Sequence, residues 1–254
     1  MTILDRHLRA RLKGKTVWIT GGKRVGQTVA RAFAEQGANI AVSYLRSKKE
    51  AEATVRMAQN LGVRACAVSM DASSIDSAFQ AVRDISASFS KIDVLVNMAS
   101  VFHSVPLEKI SHMDWDQNYQ AHVLGSFWPL QAALPKMPRG SHVINIADRT
   151  SVGRSYRNYL PYIVTKSAVE AMTRAAAKEL GDRGIFVNAI APGPILKPSD
   201  VPQKDWDALR RNSPVRYPID DREASEQFAL LALYLSAVTM TSGRTYSLDQ
   251  GQNL

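Results

Sequence analysis

Thiols are almost absent: Cys66 is the single cysteine in 254 residues. That excludes an internal disulfide framework and leaves no cysteine ligand set for structural zinc, so no metal site is expected and a reducing, cytoplasmic setting fits. No apolar run approaches the roughly 18 residues of a membrane span, so no membrane segment is expected. Acidic residues are in deficit, 23 against 32 Lys and Arg, for a formal net charge of +9 and a pI of about 9.7. Charge of that sign attracts anions. The basic residues are scattered, with no aromatic-interleaved stripe, so a phosphorylated small molecule is expected as the anion and nucleic acid is not. Residues 1–13 carry Arg6, Arg9 and Arg11 beside Asp5, without an apolar signal core, and read as a surface extension. Hydrophobic residues are plentiful at 45%, enough to bury a full core in one large domain.

Short apolar runs alternate with longer amphipathic stretches. Residues 15–20 (KTVWIT), 39–44, 64–69, 92–97 (IDVLVN), 141–147 (SHVINIA) and 186–190 read as strands buried on both faces, the look of parallel strands. Helical patterns fill 24–36, 47–61, 74–89, 114–134 and 160–181, with Gly37 and Gly62 where C-caps belong. Strands alternating with helices predict right-handed βαβ units and an α/β, Rossmann-like, doubly wound parallel sheet with helices on both faces. No linker or shift in composition divides the chain, which predicts a single domain over 1–254.

Three local patterns carry chemistry. The first βα turn, residues 20–26 (TGGKRVG), is glycine-rich and holds Lys23 and Arg24; a strand-to-helix turn of this kind lets backbone N–H groups face a diphosphate. After the second strand, residues 44–47 (YLRS) offer Arg46 and Ser47 where an acidic residue would hold a free ribose. An Arg and a hydroxyl suit a 2′-phosphate, which makes NADP(H) the expected cofactor. Tyr162 and Lys166 stand four apart, on one face of a helix, so that the ammonium favours the phenolate and prepares the phenol for acid–base work. Asp148 ends the strand before that helix, where it also suits an N-cap. Trp115 and Trp128 read as core or subunit interface, and Asp221 and Arg222 as the solvated start of a helix.

With these residues in order, the whole chain resembles a short-chain dehydrogenase/reductase. Asp71, residues 97–100 (NMAS), residues 192–196 (PGPIL) and the closing residues 248–251 (LDQG) extend the likeness. Arg24, Asp148, Ser100 and Phe102 make it most similar to the pteridine reductase and dihydromonapterin reductase branch. The resemblance implies that Tyr162 donates the proton, Lys166 holds the nicotinamide ribose and Asp148 orients or feeds the relay. It implies a cofactor-binding set of Gly21, Lys23, Arg24, Val25, Arg46, Ser47, Asp71, Ala72, Asn97, Ala99, Ser100, Pro192, Gly193, Ile195 and Leu196, with Tyr162 and Lys166. It implies further that Arg24, Ser100, Phe102, Asp148 and Tyr162 meet the substrate, that residues 197–212 form a loop covering it, and that the protein is a homotetramer. Phe102 equally suits a loop-anchoring hydrophobe, and Arg46 a solvated surface position. The chain departs from the family pattern in a turn one residue shorter, a longer interval from Asp148 to Tyr162, Met98 for a second Asn, and His122 for a helix Asn. The expected activity is NADPH-dependent hydride transfer to a pterin-like C=N or C=O. The alternatives are a ketone, quinone or ketoacyl thioester reductase, and a non-catalytic NADP(H)-binding sensor or scaffold.

Overall fold

The computed structural model describes residues 3–21, 23–153, 155, 157–197, 201–211, 213–215 and 217–252. Its strands are β1 (Thr16–Thr20), β2 (Asn39–Tyr44), β3 (Ala65–Ser69), β4 (Val94–Asn97), β5 (His142–Ile146), β6 (Phe186–Pro192) and β7 (Thr245–Leu248). They form one parallel sheet in the order β3-β2-β1-β4-β5-β6-β7. β1 shows why both faces are covered: all five of its residues are buried, with Val17 and Ile19 in one core cluster and Trp18 in the other. On the first face lie α1 (Ile3–Leu12), α2 (Val25–Glu35), α3 (Lys48–Asn60) and α10 (Asp221–Leu235). On the second lie α4 (Ile75–Ser88), α6 (Gly125–Ala133) and α8 (Leu160–Leu180). The strand order reverses direction between β1 and β4, and the crevice beyond the carboxyl ends of those strands is where open α/β sheets bind ligands. The chain is a single α/β domain, as its alternating pattern predicts.

Four segments depart from expectation. Residues 3–12, expected as part of a surface extension, form α1, whose Leu8 and Leu12 are 2% and 1% exposed in the core. The three arginines mask this apolar pair, whose i, i+4 spacing places both on one face. β7 was not legible as a strand because its four residues, Thr-Tyr-Ser-Leu, are only partly buried. The helix expected over 114–134 is broken into α5 (His112–Asn118), a π-helical turn (Tyr119–Leu124) and α6. In that turn the Gly125 N–H bonds back to Gln120 O, five residues away, and a side chain at Gly125 would meet that oxygen at 3.2 Å. Within 197–212, α9 (Gln203–Arg211) is a helix with Trp206 buried, although residues 198–200 and 212 lie outside the described residues. No helix of the described residues is long and apolar enough to cross a membrane.

Candidate active site

β5 delivers Asp148 to the crevice, where it caps the short helix α7 (Arg149–Val152) with extended backbone angles. Its two oxygens face different partners. Oδ1 accepts from Thr150 N at 2.9 Å and Thr150 Oγ1 at 2.8 Å; Oδ2 accepts from Tyr162 Oη at 2.8 Å. One carboxylate thus caps α7 and also accepts from the Tyr162 hydroxyl.

Tyr162 stands in the first turn of α8, two residues after its start at Leu160, and Lys166 follows one turn later on the same face. The Lys166 ammonium is 5.8 Å from the Tyr162 ring centroid and donates to Ile146 O at 2.8 Å. An ammonium carries three donors, so two remain beside the phenol. Burial pushes the Lys166 pKa down from 10.5 to about 8, an effect the Asp148 charge partly offsets. Below about pH 8 both the folded and the unfolded chain hold this proton, and the folded state bears the full cost of burying the charge. Between about pH 8 and 10.5 the unfolded chain keeps a proton that the folded chain has lost, so this group's contribution to stability rises with pH. The ligand-free protein should therefore gain on the order of 1–3 kcal/mol across that window relative to Lys166→Met. Urea unfolding at both ends of the window checks this, and equal changes in the two proteins would refute it.

His122 lies buried on the π-helical turn beneath the phenol, its ring edge-on to Tyr162 at 5.3 Å. Nδ1 is 2.9 Å from Thr165 Oγ1, while Nε2 is 3.0 Å from both Ser100 Oγ and Val101 O. Burial first and the Lys166 charge second push its pKa down to about 2, so it is neutral at any working pH. It ties residues 100–101 to α8 through backbone and hydroxyl groups. Ser100 is thereby placed at the site with its hydroxyl bonded to His122. Phe102 stacks on Tyr159 at 4.5 Å and meets Tyr162 edge-on at 4.9 Å, making an aromatic wall beside the phenol.

The glycine-rich turn closes against both neighbours. Gly21 has φ 75°, donates to Ser43 O, and would push a side chain into Ala99 N at 3.3 Å; a Cβ on Gly26 would lie 2.8 Å from Gly21 O. Thr20 Oγ1 accepts from Met98 N and Ala99 N, joining the ends of β1 and β4. Arg24 adopts φ 58°, ψ −116°, a strained backbone for a residue with a side chain. Its guanidinium donates to Leu196 O at 2.8 Å and Lys197 O at 2.6 Å, bridging two segments that the sequence assigned to the cofactor. Gly22 lies outside the described residues. Lys23 pairs with Glu50 at 3.5 Å on the surface, and Val25 opens α2, which has no acidic residue in its first turn. Arg46 is exposed next to Ser47, and Ser47 caps α3 without a side-chain cap bond. Half-buried Asp71, after β3, accepts from Ser73 N and Ser73 Oγ, with Ala72 following. Gly193, after Pro192, has Asp249 so close that a Cβ would meet it at 3.0 Å.

Asn97 is held from within the sheet. It is 2% exposed, and its amide donates to Ser126 O and Asn145 Oδ1, which ties β4 to α6 and β5, while its Oδ1 has no hydrogen-bond partner. Asp221 differs from expectation. It is no mere solvated helix start: it accepts from Trp206 Nε1, Arg210 and the Lys197 backbone. Trp206 and Arg210, which no periodicity or motif marks, were missed. Thr150 and Thr165 were missed too, although a Thr two residues after a strand-end Asp is a recognisable capping pattern.

A nicotinamide dinucleotide fits this crevice. The turn is tight, with no room for a Cβ at Gly26, the first turn of α2 is free of acids, and Lys166 has ammonium donors left for a ribose diol. A family model described as enoyl-(acyl carrier protein) reductase matches residues 22–253. An uncharacterized oxidoreductase of Bacillus subtilis, YhxC, is 33% identical over 257 residues, covering 98% of this chain and 88% of that protein. The 3-oxoacyl-[acyl-carrier-protein] reductase FabG of Staphylococcus aureus is 32% identical over 226 residues, covering 86% and 90%. Among solved structures, a short-chain dehydrogenase of Burkholderia cenocepacia in complex with NADP is 27% identical. It superposes with a TM-score of 0.88 over 96% of this chain and 100% of that one. A likeness that runs through nearly the whole sequence, with a Tyr162–Lys166 pair at the carboxyl edge of this sheet, has one meaning: the chain belongs to the short-chain dehydrogenase/reductase family of oxidoreductases.

Proposed function

We propose that the protein is an NADPH-dependent reductase of a polarised C=N or C=O in a flat, pterin-like heterocycle. The observation that carries this is the Tyr162 hydroxyl held by the Asp148 carboxylate, with the Lys166 ammonium one helical turn away. When bound, NADPH supplies the hydride from its nicotinamide ring. Tyr162 gives its proton to the heteroatom next to the carbon being reduced. Lys166 holds the ribose with its remaining donors and stabilises the phenolate that Tyr162 becomes. Asp148 fixes the phenol's direction. The Asp148 carboxylate charge beside a developing alkoxide is unfavourable, whereas a heterocycle rich in N–H donors suits it; the Phe102 and Tyr159 rings suit a flat ring system.

A second reading, reduction of a 3-oxoacyl thioester, is favoured by the likeness to the staphylococcal enzyme. Steady-state NADPH oxidation with reduced and oxidised pterins, simple ketones, quinones and an oxoacyl thioester separates the two. A thioester turned over far faster than any pterin would replace the first reading with the second. Tight NADPH binding without turnover of any substrate would leave a binding protein.

The preference for NADPH rests on Arg46 and Ser47. A 2′-phosphate can take paired charge-assisted bonds from Arg46 and one from the Ser47 hydroxyl. Bonds to charged groups contribute roughly 1.5–3 kcal/mol, so NADPH should bind about 10- to 100-fold more tightly than NADH. Arg46→Ala should abolish most of that difference by weakening NADPH while leaving NADH within about twofold. Titration of protein fluorescence with both cofactors tests this, and equal losses would make Arg46 structural. We further propose a homotetramer. Met113, Trp115, Tyr119 and Phe127 are exposed along α5, the π-helical turn and α6, and Leu230, Tyr234 and Met240 on and after α10; two separate apolar faces suit a closed tetramer.

A further inference from the structure

We infer that Arg210 and Asp221 form a clasp that positions α9 over the substrate end of the crevice by gripping the backbone of residues 194–197. The inference rests on the expectation, implied by the resemblance, that this part of the chain covers the substrate, and adds how α9 is held. The segment 194–197 has four consecutive carbonyls, and two guanidinium groups take all of them. Arg210 Nη2 donates to Pro194 O at 3.3 Å and Ile195 O at 3.0 Å; Arg24 donates to Leu196 O and Lys197 O from the glycine-rich turn. The two arginines differ in kind. Arg24 is exposed and stands in the phosphate-binding turn. Arg210 is largely enclosed, with its side chain 16% exposed. It also donates to Ile219 O at 2.7 Å and lies over the Trp206 ring at 5.1 Å.

Asp221 completes the clasp from the first turn of α10. Oδ1 is 2.8 Å from Arg210 Nη2 and accepts from Trp206 Nε1 at 3.1 Å, while Oδ2 accepts from Lys197 N at 2.9 Å. One carboxylate thus binds two side chains of α9 and the backbone of the segment next to it. α9 needs such anchoring: its nine residues are strongly polar, and Trp206 is its only buried side chain among the described residues. A helix that short is marginal in water, so its position depends on the groups that tie it down. Lysine cannot replace Arg210, because a single ammonium cannot reach three carbonyls and a carboxylate with the planar fork's geometry.

The test uses the full chain as wild type, Asp221→Asn and Arg210→Lys, with Arg222→Gln as control, since Arg222 is 86% exposed and pairs with Glu226 on the surface. Hydrogen–deuterium exchange is followed by mass spectrometry, with and without NADPH, alongside kcat and KM for the best substrate found in the panel. Exchange in 203–211 should accelerate about tenfold in both clasp variants, while peptides from β1, β4 and β5 stay at wild-type rates. Substrate KM should rise about tenfold, with kcat and NADPH affinity within about threefold, because the reacting groups are untouched. Arg222→Gln should match wild type. Unchanged exchange in 203–211, or acceleration shared by the whole chain, would overturn the clasp. A fall in kcat at constant KM would overturn its role in positioning. A wild type inert toward every substrate would sink the reductase reading, and the exchange data would still decide whether the clasp holds α9.

Discussion

Replacing Tyr162 by Phe should cut turnover by about 10²–10⁴-fold and leave NADPH affinity within about twofold. The ring stays, so its edge contacts with Phe102 and His122 and the cover it gives the Lys166 ammonium are kept. Only the hydroxyl is lost, and with it the proton donor. The Asp148 Oδ2 that accepted from it would face an apolar ring edge, a cost of roughly 1–3 kcal/mol for a buried acceptor left without its donor. A lower melting temperature is therefore expected together with the loss of turnover. Lost turnover with NADPH binding also lost would point to a collapsed site. Turnover within a few-fold of wild type would remove Tyr162 from its role as acid.

Asp148→Asn should be nearly as damaging, for a different reason. A carboxylate accepts at both oxygens, whereas an amide accepts at one atom and donates at the other. If the amide oxygen stays with Thr150, the NH₂ can only donate to the Tyr162 oxygen, and the phenol's own proton loses its acceptor. If the amide flips, the cap is lost, and the Thr150 N–H meets a donor. In either orientation one of the two jobs fails. A turnover loss of about 100-fold or more is expected, with a stability loss of about 1–2 kcal/mol. Asp148→Ser should retain more of both, since a hydroxyl can accept from one neighbour and donate to another. Rates and melting curves on the same preparations distinguish these outcomes. Near-normal turnover in Asp148→Asn would reduce Asp148 to a cap.

The strands and most helices were legible because parallel strands buried on both faces are unbroken apolar runs and the helices between them keep an amphipathic period. The closeness of Tyr162 and Lys166 was legible because helical spacing alone puts one beside the other. Three kinds of feature were not. Short elements such as β7 and α9 carry too few buried residues to leave a period. The bond from the Asn97 amide to Asn145 depends on the register of β4 with β5, which spacing alone does not reveal. Backbone carbonyls are invisible in sequence, so the partners of Arg24 and Arg210 had to come from the fold.

The π-helical turn has a consequence for the helix that precedes it. Its wider winding acts as a phase shifter between α5 and α6. An α-helix advances about 100° per residue, so deleting Gln120 and letting the turn close with ordinary bonding would rotate one helix against the other by about that angle. α6 is pinned by buried Leu130, Ala132 and Ala133, leaving α5 to turn. The exposed faces of Met113 and Trp115 would swing toward a different side of the molecule while His122 kept its place beside Ser100 and Thr165. A single inserted residue thus lets the chain's outer apolar face and its inner polar contacts be set independently along what would otherwise be one rigid rod.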